Sequence, residues 1–175
     1  MKRLVVIGAV ALLSACGGQV AHAPASIGDL VRPVAAPWLT VAGDADKLEV
    51  RGLDHKLIID PSPRLSAAIQ SQLRTQLQSS YFQDLVVTCT SLAVALHVDP
   101  RKSPGNVGMD LGLHCEIWAR GFDAQHDYKT QVSAAVAGGA GDQGYAQALP
   151  QLLADGATDI AGQLRGNLQQ FAKAH

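Results

Sequence analysis

The sequence predicts an α+β domain: a small antiparallel sheet of about four to five strands with two helices packed on one face. Three observations carry this. Val107 to Ala119 alternates apolar and wetter residues with a period of two, as a half-buried strand does. Leu65, Ile69, Leu73 and Leu77 recur every fourth residue, and Leu149, Leu152, Leu153, Ile160, Leu164, Leu168 and Phe171 share one stripe of a second helix. The order of strands, helix, three strands and helix then lets one sheet cover both helical stripes.

The chain opens Met1-Lys2-Arg3 and runs apolar from Leu4 to Leu13. Ten residues of helix rise about 15 Å, half of a hydrocarbon core about 30 Å thick, so the run reads as a signal-peptide core and not a spanning helix. Small residues then lead straight into a cysteine, Leu13-Ser14-Ala15-Cys16. That order resembles the lipobox of bacterial lipoproteins and implies a signal peptide over residues 1–15, cleavage before Cys16 and acylation of Cys16, palmitate included. An ordinary cleaved signal with an incidental cysteine is the alternative. Gly17 stands where Asp would imply the inner membrane, so the same resemblance implies the outer membrane, with the domain facing the periplasm. Residues 16–37 are rich in Ala, Gly and Pro without apolar period, and read as the lipidated N-terminus and a flexible tether with a reach of roughly 25 Å. Residues 38–175 remain as a single domain, long enough for a real core.

Within that domain, Leu48–Val50 and Leu57–Ile59 read as early strands joined by a hairpin through "RGLDH". Ser62-Pro63 reads as a cap with proline in the first turn of helix one. Leu85 to Val98 is a strand with a phase change: Leu85, Val87 and Cys89 hold the apolar face at odd positions, and Leu92, Val94, Leu96 and Val98 hold it at even ones. A β-bulge at Thr90-Ser91 keeps them all on one side. The turn cluster "DPRKSPGN" follows, and then the strand Val107–Ala119. Pairing Val98 with Val107 sets Leu92 opposite Leu113, and one bulged residue brings Cys89 opposite Cys115. This register predicts a cross-strand disulfide, with two buried free thiols as the alternative. Tyr128, Thr130, Val132, Ala134 and Val136 face one way on a third long strand. A glycine-rich bend precedes the last helix, with Pro150 in that helix's first turn.

Composition narrows the function. Loss of Lys2 and Arg3 with the leader takes the formal net charge from −1 to −3, and Arg101-Lys102 is the only adjacent basic pair left. With aromatics at 5%, this argues against a nucleic-acid partner. Gly139-Ala140-Gly141-Asp142-Gln143-Gly144 matches G-x-G-x-x-G, but no strand follows the next helix to complete a dinucleotide site, so it reads as a bend. Asp110, His114 and Glu116 share the wet face of one strand. Asp110 and His114 lie roughly 13 Å apart along it, too far to share an ion, so no metal site and no cofactor are expected. His55, His97 and His126 read as surface residues near turns. No G-x-S-x-G or H-E-x-x-H occurs, and Cys89 is expected buried, so the chain does not read as an enzyme. Trp118 is the anomaly: it falls on the wet face beside Glu116 and Arg120, where either the last helix or the tether covers it or it contacts a partner. Tyr81-Phe82 pose the same choice.

The segments "KLIIDPSPRLSAAIQSQLRTQLQ" and "GNVGMDLGLHCEIWARG", behind a lipobox and with a C-terminal helix after a Gly-rich bend, resemble the YajG-type family of uncharacterised bacterial lipoproteins. The resemblance implies an envelope-facing α+β domain and carries no functional residues across. The expected function is a non-enzymatic, lipid-anchored outer-membrane lipoprotein that binds an envelope protein as an interaction or assembly accessory module. The alternative is a lipid or glycan carrier with a cavity between sheet and helices.

Overall fold

The computed structural model describes residues 20–33, 37–43, 46–77, 84–119 and 122–174. Cys16, the leader and Tyr81-Phe82 lie outside these residues. The chain forms β1 (Ala21–Ser26), a short 3-10 turn (Gly28–Leu30), β2 (Leu39–Val41), β3 (Leu48–Arg51), β4 (Leu57–Ser62), α1 (Leu65–Leu77), β5 (Val86–His97), β6 (Asn106–Ala119), β7 (Phe122–Ala135) and α2 (Asp142–Ala174).

The fold is α+β with two helices, and its sheet has seven strands where four to five were expected. The main path is β1-β4-β3-β5-β6-β7, with β2 also paired to β5. The sheet is mixed and not purely antiparallel. β1–β4, β2–β5 and β3–β5 are parallel, whereas β3–β4, β5–β6 and β6–β7 are antiparallel. β2 and β3 lie beside the two ends of β5 as an interrupted strand. At the interruption, Gly43 passes so close to the β5 bulge that a Cβ there would stand 2.8 Å from Leu92 Cβ, and its φ of +138° suits glycine.

The stretch expected as tether contains β1, which corrects the domain boundary. Ala21 pairs with Leu57 and Ser26 with Ser62, while Ala23 and Ala25 are buried at 2% and 3% exposure. The alternation is real but built from alanines, whose small side chains give little hydrophobic signal, and Pro24 is tolerated because β1 is an edge strand. Ile27, fully buried, then donates its N–H to the Ser62 carbonyl. Ser71 of α1 fixes the chain that follows. Its Oγ accepts from the Arg32 N–H at 2.7 Å and donates to the Arg32 carbonyl at 3.0 Å. The exposed edge of β2 is closed in the same way: the Val41 N–H donates to Gln70 Oε1, and Arg74 Nε donates to the Leu39 carbonyl.

The β5–β6 register is the expected one. Cys89 pairs with Cys115 and His97 with Gly108, and the ladder shifts between Thr90 and Ala93, where Ser91 has φ of 54°. Cys89 and Cys115 are joined by a disulfide with Cα atoms 3.9 Å apart.

Two helix boundaries differ from expectation. Ser62 ends β4 and does not cap α1; the Arg64 carbonyl accepts the first turn's N–H groups from Ala67 and Ala68. α2 begins at Asp142, so Pro150 lies inside it and leaves the helix one hydrogen bond short. The added first turns bury Ala146 and Ala148, again too small to signal a helix by period. Thirty-three residues of helix rise about 50 Å, which matches the length of the 14-residue strands β6 and β7. α2 lies along the odd-numbered face of β6, where Leu111 and Met109 approach Gly156, and α1 packs beside α2. One continuous core fills the space between sheet and helices. The concavity expected there for a carrier lies elsewhere, on the opposite face of the sheet.

Candidate functional site

The even-numbered residues of β6 and the odd-numbered residues of β7 form the face that carries no helix. Trp118 is there, 55% exposed. Its cross-strand neighbour in β5 is Val86, itself 47% exposed, and its neighbour in β7 is Asp123. Among the described residues nothing covers this apolar pair. Val86 carried no sequence signal of its own, since an apolar residue at a strand start reads as core; its register against Trp118 is what exposes it.

From Trp118 the face becomes polar. Gln125 Nε2 donates to Glu116 Oε1 at 3.5 Å, His114 Nδ1 meets Asp127 Oδ1 at 2.8 Å, and Gln131 Nε2 donates to Asp110 Oδ1 at 2.6 Å. His97 Nδ1 also stands 3.4 Å from Asp110. The hydrogen bond from His114 lowers the Asp127 carboxyl below its ordinary range, ahead of a smaller opposing effect of burial. Asp110, His114 and Glu116 share this face, as expected, but each is matched to a different partner across the ladder. Among the described residues no group of three His, Cys, Asp or Glu could hold a metal ion.

The middle of the face is hollow. Ala93, Ala95 and Gly112 point nothing large outward, and an open trough of about 880 Å³ lies over them, flanked by Asp110, Lys129 and Gln131. At its upper end the His97 ring lies over Gly108, in the place a Cβ would occupy. The hollow was legible in principle, as small residues recurring opposite Leu92, Val94 and Leu96.

The histidines differ from expectation in one case. His97 ends β5 and His55 lies in the β3–β4 hairpin. His126 is no turn residue: it sits within β7 on the covered face, near Tyr128 and Phe171, with a buried Nε2 that has no hydrogen-bond partner among the described residues. Tyr128 beside it is buried and accepts from Asn167 Nδ2; burial pushes its hydroxyl pKa up. The G-x-G-x-x-G string is a bend, with Gly139 and Gly141 at positive φ and Asp142 opening α2.

No protein-family model matches this chain, and no curated protein matches it. Among solved structures, a "putative lipoprotein from Caulobacter crescentus CB15" aligns at a TM-score of 0.46 and 13% identity, covering 78% of this chain and 90% of that one. The crystal structure of an uncharacterized protein aligns at 0.44 and 12%, covering 83% and 99%.

Proposed function

We propose that this protein is a non-enzymatic lipoprotein, anchored in the bacterial outer membrane by lipid on Cys16, whose helix-free sheet face binds an envelope protein. The anchor rests on the sequence Leu13-Ser14-Ala15-Cys16 behind a basic start and an apolar run. The binding role rests on one observation: Trp118 and Val86, paired across the ladder, are exposed together on the face away from the helices. Tryptophan is enriched among the residues that carry binding energy at protein interfaces, and here it adjoins an exposed valine to form a contiguous apolar patch rimmed by polar residues, the arrangement that marks interaction sites.

The trough over Ala93, Ala95 and Gly112 supports a second reading, a carrier for a lipid or glycan, now on the open face. Its volume falls in the range of small-molecule sites. Gentle affinity purification of the lipidated protein from native membranes, analysed for proteins and lipids together, separates the two. A stoichiometric protein partner lost on Trp118→Ala supports the interaction module. Retained lipid or glycan without a protein partner, unaffected by Trp118→Ala, overturns it in favour of the carrier.

A further inference from the structure

The start of β1 fixes how far the domain can stand from its anchor. Ala21 is already hydrogen-bonded into the sheet, its N–H donated to the Lys56 carbonyl at 2.9 Å. Five residue steps separate it from Cys16, and a fully extended chain covers at most about 18 Å over that distance. The end of the sheet that carries Ala21 is therefore held close to whatever Cys16 is attached to.

That end gathers the basic residues that the sequence scatters. Lys56 adjoins Ala21 directly. Arg51 pairs with His97, and its carbonyl accepts from the Val98 N–H, which brings the turn bearing Arg101 and Lys102 to the same end. All four side chains are exposed. Lys56 and Lys102 lie 3.5 and 3.6 Å from Glu49 and Asp99, whereas Arg51 and Arg101 have no carboxylate partner among the described residues. The other carboxylates here are engaged by histidines: Asp54 and Asp142 by the His55 ring, and Asp110 by His97 at 3.4 Å.

Trp118 lies at the other end. From Gly108, level with His97 and Arg51, to Trp118 is about ten strand residues, or roughly 34 Å. Among the described residues the intervening face of β6 and β7 carries Asp110, Glu116, Asp123 and Asp127 against Lys129, so laying it flat on an anionic surface is electrostatically unfavourable.

We infer that the Arg51, Lys56, Arg101 and Lys102 end is a contact surface for the anionic phospholipid headgroups of the bilayer that holds Cys16. It stands the sheet end-on and turns Trp118 away from that membrane. The inference rests on the lipid anchor proposed above and adds an orientation: the partner at Trp118 approaches from the periplasmic side, not along the lipid surface.

The test uses lipidated protein purified from membranes and placed in vesicles of phosphatidylethanolamine with phosphatidylglycerol bearing a headgroup nitroxide quencher. Trp38→Phe leaves Trp118 as the single reporter at the far end. Trp38→Phe with Trp118→Phe and Ser103→Trp moves the reporter to the exposed β5–β6 turn. The expected result is strong quenching at position 103 and none at 118. Quenching at 103 should be lost on adding R101E and K102E, in phosphatidylcholine vesicles that carry the nitroxide on the choline headgroup instead, and as salt rises from about 0.01 M to about 0.15 M, which shortens the screening length from about 30 Å to about 8 Å. Equal quenching at both positions overturns the end-on orientation, and quenching at 103 that survives R101E/K102E overturns the headgroup contact. Flotation is scored on the same samples. Protein that does not float with vesicles, or floats equally as Cys16→Ser, overturns the anchor itself and the inference with it.

Discussion

The two faces of the sheet are made by alternate residues of the same strands and have opposite character. On the covered face, Val107, Met109, Leu111, Leu113, Cys115 and Ile117 are all at 2% exposure or less, in the core between sheet and helices. On the open face, their immediate neighbours are Gly108, Asp110, Gly112, His114, Glu116 and Trp118, of which Asp110, His114 and Glu116 are paired across the ladder by side-chain hydrogen bonds. The first set removes large apolar surface from water, at about 25 cal/mol per Å². The second offers exposed polar pairs, each worth about 0–1 kcal/mol, and a hollow. Stability is thus concentrated on one face, which leaves the other free to carry shape and charge for recognition.

Adjacent substitutions on β6 would break or keep that contrast most sharply. Leu111 faces the core and Gly112 the trough. Leu111→Ala should lower unfolding free energy by about 2–5 kcal/mol through lost burial and the void left behind. Gly112→Ala should be neutral or stabilising by up to about 1 kcal/mol, because an added Cβ meets nothing closer than 3.8 Å and restricts the unfolded chain. Urea denaturation of both variants measures the difference. Equal losses would mean that the open face is packed after all.

How much of this could be read from the sequence depended on side-chain size. Leu92, Val94, Leu96 and the odd residues of β6 announce their face, so the bulge, the register and the pairing of Cys89 with Cys115 were all legible. β1 and the first turns of α2 were not, because Ala23, Ala25, Ala146 and Ala148 are buried without being strongly hydrophobic, and Pro24 and Pro150 argue against the elements that contain them. β2 was missed because three residues carry no period; α1 holds its edge with Gln70 and Arg74. At the candidate site Trp118 stood out as an aromatic out of phase. Val86 and the basic end did not, since both are assembled by pairings between distant segments.

The disulfide offers an intermediate effect on the covered face. It closes a loop with a sequence separation of 26, and constraining the unfolded chain by such a loop is worth about 2–4 kcal/mol. Cys89→Ala with Cys115→Ala should lower stability by about that amount and leave the hairpin register unchanged, because Val87 opposite Ile117 and Leu96 opposite Met109 fix it on either side. Denaturation with and without reductant gives the magnitude, and backbone amide exchange at Thr88 and Thr90 reports the register. A shift of register on reduction would make the disulfide, and not the apolar face, the element that aligns β5 with β6.

The smallest expected effect lies where the covered and open sides meet, at the end of the sheet. His55 Nδ1 is 2.7 Å from Asp54 and Nε2 is 2.8 Å from Asp142, the first residue of α2. Two carboxylates can both be satisfied only by two N–H donors, so this geometry belongs to the imidazolium, and the hydrogen bonds His55 donates to Asp54 and then to Asp142 raise its pKa above the ordinary 6.5. A raised histidine pKa stabilises the folded state fully below the unfolded value and loses that contribution as pH climbs through the folded value. Wild type should therefore exceed His55→Gln in melting temperature at about pH 5, with the gap closing as pH rises beyond about 6.5. The gap should be small, since the ring and both carboxylates are substantially exposed and screened. A gap constant with pH would show that the hairpin is tied to α2 by packing alone, and that the charge pattern at this end of the sheet leaves α2 unaffected.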